Sequence, residues 1–215
     1  MLGVDEAGRG PVIGPLVVAG VCANDATLTS LTSSGVRDSK ALSPASREEL
    51  SLLIRARCEV RTVSISARDI DLQRSQMSLN DIERRMFADV IKMFDDINDI
   101  IVVDCCDTKE ERFGSLLSND TGKDVLAKHK ADDTHPAVSA ASIIAKVERD
   151  RAVAAISRQA EAVWGIGVGS GYPSDPKTKA FLKKVAGEAE LPEFVRRSWK
   201  TVTALSQSSL DAYYE

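Results

Sequence analysis

The chain has 215 residues, 43% of them hydrophobic and 28% charged, which is enough for a full core in one domain. Lys plus Arg number 28 against 32 Asp plus Glu, a formal net charge of −4, so the molecule is no passive nucleic-acid coat, although an enzyme with a local basic groove is still allowed. The longest apolar run, Pro11 to Ala23, contains two prolines and falls short of the ~18 residues that a membrane span needs. No membrane association is expected.

In chain order, Val4-Asp5 and then Leu16 to Cys22 read as two strands joined by a Gly/Pro-rich turn. Ser43-Pro44 predicts a helix start, with Ser43 as N-cap and Pro44 in the first helical position, and Leu50, Leu53 and Ile54 follow at helical spacing. Cys58 to Ile65 alternates as a strand. Leu79, Ile82, Met86, Val90 and Met93 return to helical period over Ser78 to Phe94, and the continuous apolar run Ile100 to Val103 is that of a strand covered on both faces. Ser139 to Ile156 predicts a helix, with Ala140, Ile143, Ile144 and Val147 on one side and Lys146, Arg149 and Asp150 on the other. Another helix follows over Lys177 to Val185. Interleaved strands and helices of this kind make an α/β domain with a mixed sheet. That domain is expected to span 1–190, with 191–215 a C-terminal helical extension or tail whose end, Gln207 to Glu215, is a candidate for disorder.

Cys22, Cys58, Cys105 and Cys106 form no C-x-x-C pair, and the start at Met1-Leu2-Gly3 has neither the charged nor the apolar region of a leader. Reduced thiols in a cytoplasmic protein are expected. Cys105 and Cys106 point to opposite faces after a strand, which suits small buried thiols better than a shared ligand role. Basic residues gather over 173–200, from Lys177, Lys179, Lys183 and Lys184 to Arg196, Arg197 and Lys200. Composition alone favours a solvated face over a phosphate-binding surface, and a position beside a catalytic motif would favour the second.

The chemistry concentrates at the opening, Gly3-Val4-Asp5-Glu6-Ala7-Gly8-Arg9-Gly10-Pro11, where two adjacent carboxylates end a strand and a glycine-flanked arginine follows. Asp104, ending the apolar run, and Asp132, before the long helix, are two more acids that folding could bring to the same place. Phosphodiester hydrolysis needs an activated water, charge stabilisation and help for the leaving oxygen. Two divalent ions supply all three, and Mg²⁺ or Mn²⁺ prefers carboxylate oxygens. In isolation each acid has a plainer account: a helix cap for Asp132, a strand-end turn for Asp104, a surface charge for Glu6. Together they read as a metal-dependent nuclease. Asp107 and Asp133 stand close enough to Asp104 and Asp132 to replace them if the local backbone is set differently.

Gly8 and Gly10 let a backbone approach a ligand closely, with Arg9 able to hold a phosphate, but the segment lacks the Gly-Lys-Ser/Thr ending of a nucleotide-binding loop. The run Gly165-Ile166-Gly167-Val168-Gly169-Ser170-Gly171 leads into Tyr172-Pro173 instead of opening a helix, so it is a poor dinucleotide fingerprint.

Several segments in order resemble ribonuclease HII: Asp5-Glu6-Ala7-Gly8-Arg9-Gly10, Asp38-Ser39-Lys40, Lys130-Ala131-Asp132, Ser139 to Val147 with Arg149-Asp150, and Gly169-Ser170-Gly171-Tyr172-Pro173-Ser174-Asp175. The likeness covers roughly residues 2–200 and is closer to the archaeal single-domain form than to the bacterial one. It implies a ribonuclease H-like fold and cleavage of the RNA strand of RNA/DNA hybrids. It also implies cutting on the 5′ side of single ribonucleotides in duplex DNA, leaving 3′-hydroxyl and 5′-phosphate ends. By motif, Asp5, Glu6, Asp104 and Asp132 would be catalytic and hold two ions, Mg²⁺ or Mn²⁺. Gly8, Arg9 and Gly10 would meet the ribonucleotide 2′-hydroxyl and adjacent phosphate, and Tyr172 the sugar that follows. Lys40, Ser139 and Lys146 would touch backbone phosphates. A monomer is expected, a sliding-clamp partner stays open, and a noncatalytic duplex-binding module of the same fold is the competing class.

Overall fold

The structure, a computed structural model, describes residues 1–37, 42–94, 100–188 and 190–204. They divide into two compact units, one of residues 1–7, 17–64 and 78–148, the other of residues 8–16, 65–77 and, among those described, 149–204.

The first unit carries a five-stranded mixed sheet in the order β3-β2-β1-β4-β5, from β1 (Leu2–Ala7), β2 (Leu16–Cys22), β3 (Glu59–Ile65), β4 (Ile101–Asp104) and β5 (Val125–Lys128). β1 pairs antiparallel with β2 and parallel with β4, and β4 is parallel to β5. Central β1 and β4 are almost wholly buried, which is why their sequences are apolar up to the acids at their ends. Helices α1 (Asp25–Ser33), α2 (Pro44–Arg57), α4 (Leu79–Lys92), α5 (Glu110–Thr121) and the one-turn α6 (Ala131–Thr134) belong to this unit. So does the first part of α7 (Pro136–Trp164), through residue 148.

The expected caps and faces form. Ser43 accepts the amide hydrogen of Ser46 at 3.1 Å with Pro44 in the first turn of α2, and α4 buries Ile82, Met86, Phe87, Val90 and Ile91. Five of the described elements escape the pattern reading, among them the single turn α6. α1 has only Leu28 and Leu31 buried among Thr and Ser, α3 (Ala67–Arg74) buries just Ala67 and Ile70, and α5 and β5 are short with mixed faces. α7 exceeds its expected span at both ends. Gly3 permits the close seat of α7 on β1, because a Cβ there would collide with the backbone of Ala137 and Val138.

The second unit contains α3, the rest of α7, and α8 (Pro176–Val185). Its core joins Val12, Ile13, Val153, Ala160, Val168, Phe181, Leu182, Val185 and Val195, with Trp164, Phe181 and Phe194 in mutual ring contact at 5.7–6.2 Å. Residues 191–204, the first part of the expected extension, belong to this unit, and Val195 and Arg196 are buried. Residues 205–215 lie outside the described residues. Among the described residues no helix is long and apolar enough to cross a membrane.

Candidate active site

In the first unit the sheet register builds an acidic cluster. The last parallel pair recorded between β1 and β4 is Val4↔Val103, so the next step along both strands places Asp5 beside Asp104. Carboxylate oxygens of Asp5, Glu6 and Asp104 come within 4.8 Å of one another. Asp5 is buried, and its Oδ1 accepts the Glu6 amide hydrogen at 2.7 Å. Burial first, and the neighbouring Glu6 charge second, push the Asp5 carboxyl well above the usual range. Lys146 and a hydrogen bond from Ser142 pull the other way without winning. Three crowded carboxylates, one of them desolvated, form a donor set that a hard divalent cation would relieve.

Asp132 is buried on α6 but is not a member of that three-acid cluster. It is tied to it through the backbone: Asp104 Oδ1 accepts the amide hydrogen of Ala131 at 2.7 Å. The preceding Lys130 holds φ 55°, the one non-glycine residue at positive φ among the described residues. Asp107 has other duties. It accepts from the Lys109 amide and the Thr108 hydroxyl and pairs with Arg112 at 3.0 Å. These bonds hold its carboxyl below the usual range despite the opposing effect of burial. Asp104 is therefore the ligand candidate of the two. Asp133 is exposed. All four cysteines are free, and Cys105 is buried, its thiol donating to the Asp107 carbonyl at 3.3 Å.

Of the expected phosphate contacts, Lys146 lies one turn beyond Ser142 on α7 and donates to its hydroxyl at 2.6 Å, which places its charge near Asp5. Ser139 is buried, its hydroxyl donating to the carbonyls of Asp132 and His135. It fixes the α6–α7 junction with the group that a phosphate would need. Lys40, with Asp38 and Ser39, lies outside the described residues.

In the second unit the glycine turn and Tyr172 come together. Gly8 has φ 104°, and a Cβ there would approach the Pro15 carbonyl oxygen to 2.5 Å, so both conformation and space call for glycine. The Gly171 carbonyl accepts from the amides of Val12 and Ile13 at 2.8 and 3.3 Å. This brings the Tyr172 ring alongside Gly10, where a Cβ would lie 3.5 Å from it. Tyr172 remains 42% exposed.

Sequence reasoning missed the supports of this surface. The Arg149 guanidinium lies 5.1 Å from the Tyr172 ring centroid and donates to the Ser170 carbonyl at 2.7 Å. Asp175 accepts from the Ser170 amide and hydroxyl, the Lys177 amide and the Thr178 hydroxyl, which lowers its carboxyl to about 2. The dipeptide Asp175-Pro176, an N-cap followed by proline, was its readable signal. Arg196 is fully buried and lowered to about 9 by desolvation, with Arg149's charge adding to it. Only its place in a basic cluster marked it beforehand.

A family model described as Ribonuclease HII matches residues 2–202. The chain belongs to the ribonuclease HII family. Ribonuclease HII of Methanobrevibacter smithii is 48% identical over 97% of this chain and 99% of its own length. The ribonuclease H2 of Pyrococcus horikoshii superposes with a TM-score of 0.85 at 36% identity, covering 96% of this chain and 97% of the other. The ribonuclease HII of Archaeoglobus fulgidus, solved in complex with PCNA, gives 0.82 at 42%, covering 93% and 94%. The mixed sheet is thus a ribonuclease H-like fold, and the protein is a ribonuclease H, an endonuclease acting on RNA/DNA hybrids.

Proposed function

We propose that this ribonuclease HII cuts on the 5′ side of single ribonucleotides in duplex DNA as well as within hybrids, leaving 3′-hydroxyl and 5′-phosphate ends. The observation that carries the reading is the convergence of Asp5, Glu6 and Asp104 at the end of the strand that continues, after Ala7, into Gly8-Arg9-Gly10. Asp5, Glu6 and Asp104, with Asp132 completing the set, would hold two divalent ions, Mg²⁺ or Mn²⁺. When bound, such ions activate water and neutralise charge on the phosphoryl group. Lys146, beside Asp5, supplies a counter-charge while the acids are close together. The Gly8–Gly10 backbone grips the ribonucleotide 2′-hydroxyl, the group that separates it from its deoxy neighbours, and Arg9 the adjacent phosphate. Tyr172 offers a half-exposed ring to the next sugar, and an apolar deoxyribose face suits it.

The deciding experiment maps the cut in an end-labelled DNA duplex carrying one ribonucleotide, with Mg²⁺ and with chelator. A single metal-dependent cut 5′ to the ribonucleotide is expected. Cleavage only within RNA runs, or a cut on the 3′ side, would overturn the reading.

For a partner we extend to this chain the PCNA complex of the A. fulgidus relative. Leu210, Tyr213 and Tyr214 lie outside the described residues, and in sequence they are three apolar and aromatic side chains close together, the kind of anchor set a short peptide offers to a groove. The 191–215 extension then has two duties, support of the second unit and clamp docking. Deleting residues 207–215 is expected to abolish clamp binding in a pull-down and to leave cleavage of a short duplex unchanged.

A further inference from the structure

We propose that Arg196 is a positioning residue for ribonucleotide recognition, fixing the Arg9–Gly10 peptide so that its N–H faces the substrate. The inference rests on the reading above, that the Gly8–Gly10 backbone meets the 2′-hydroxyl. Arg196 Nη1 donates to the Arg9 carbonyl at 3.2 Å and Nε to the Gly14 carbonyl at 3.0 Å. One side chain therefore ties both ends of the segment 9–14. Its own backbone amide donates to Val12 at 2.8 Å, Gly14 donates to Phe194 at 2.9 Å, and Ile13 bridges Val195. The guanidinium also lies 4.7 Å from the Trp199 ring centroid. Among the described residues no carboxylate forms an ion pair with it.

A buried guanidinium without a carboxylate partner is a costly way to fill space, and an apolar side chain would pack against Trp199 as well. What the arginine adds is a rigid planar fork with donors for two carbonyls at once, which a lysine ammonium cannot reproduce. The consequence follows from peptide geometry. In a trans peptide the C=O and N–H point in opposite directions, so an Arg9 carbonyl held on Arg196 turns the Gly10 N–H away from the interior. Gly10 is exposed, and its N–H makes no hydrogen bond among the described residues. It is a pre-oriented donor for an oxygen of the ribonucleotide, and its orientation is set far along the chain.

The test compares wild-type protein with Arg196→Lys and Arg196→Gln, binding two labelled duplexes of the same sequence in chelator, one all-DNA and one with a single ribonucleotide. Wild type is expected to prefer the ribonucleotide duplex. Both variants are expected to bind all-DNA duplex like wild type and to lose that preference by about tenfold, equivalent to ~1.4 kcal/mol. Gln removes the buried charge while retaining an N–H donor, so it serves if Lys fails to fold, as judged by circular dichroism. A folded variant that keeps the wild-type preference, or that weakens both duplexes equally, overturns the positioning role and makes Arg196 structural. A wild type without preference sinks the glycine-turn reading itself, a different failure.

Discussion

On the proposed reading the two units would offer a substrate different things. The first presents side chains: carboxylates brought together by strand register, with burial and like charge raising the Asp5 carboxyl. The second presents main chain and one ring, the Gly8–Gly10 turn and Tyr172, held by buried guanidinium groups and an aspartate cap. One region would work through charge that has been made unfavourable in advance. The other would work through shape that has been fixed. Electrostatic destabilisation at a site is the usual counterpart of function there, whereas a fixed turn is compatible with strong local bonding. The two should respond differently to substitution.

The severest challenge to this contrast is Asp104→Asn. The amide keeps the size and can still accept from Ala131, so folding should be unaffected while cleavage in Mg²⁺ falls by about 10³-fold or more, ~4 kcal/mol of transition-state stabilisation. Single-turnover kinetics with a parallel melting curve checks both halves. Normal turnover by a folded variant would return the ligand role to Asp107 and dissolve the charge account. Gly3→Ala sharpens the packing half. With α7 backbone in the way of the new methyl, a loss of about 3 kcal/mol in denaturant unfolding is expected, the upper end of ordinary overpacking. An unchanged midpoint would mean that α7 is seated less tightly than described.

What was legible in each unit was set by how strongly an element is patterned, and most of the elements missed lie in the first unit. Val102 and Val103 are buried and lead into an acid, so β4 and the acid that ends it could be read from hydrophobicity alone, as could the amphipathic α4. α1, with two buried leucines among hydroxyl side chains, and the four-residue β5 carry too little periodic signal; tertiary packing decides them. In the site, motif likeness named Asp5, Glu6 and Asp104, and the fold brings them together. No pattern in sequence gives the direction of a peptide plane. Hence Arg196, 187 residues from the carbonyl it holds, passed as one more surface cation, and the bonds of the Ser139 hydroxyl to two carbonyls could not be read beforehand.

For the second unit, Tyr172→Ala should slow cleavage at a single ribonucleotide by roughly five- to 150-fold, on the ~1–3 kcal/mol scale of stacking on an aromatic ring. Cleavage within an RNA run should suffer less, because there the next sugar carries a hydroxyl and fits the ring poorly. Equal losses on matched duplexes would make Tyr172 a general support.

The smallest effect belongs to Asp175. Its folded carboxyl, at about 2, lies below the unperturbed 3.8, so its contribution to stability is fully present above pH ~4 and lost as pH falls towards 2. Asp175→Ala should cost about 0.5–2 kcal/mol at neutral pH, the range for a lost helix cap. The gap between variant and wild type should close in urea titrations run from pH 5 down to pH 2. A gap that persists at pH 2 would place the stabilisation elsewhere.

Lys130 carries a consequence for heat tolerance. An L-residue held in the left-handed region costs about 1–2 kcal/mol, and here the cost falls two residues before Asp132, in the turn whose Ala131 amide bonds Asp104. Glycine relieves that cost while adding ~0.5–1 kcal/mol of unfolded-chain freedom. Lys130→Gly is therefore a route to a slightly hardier chain that leaves every candidate ligand in place, and the turn before Asp132 is where the molecule trades thermal margin for the placement of an acid.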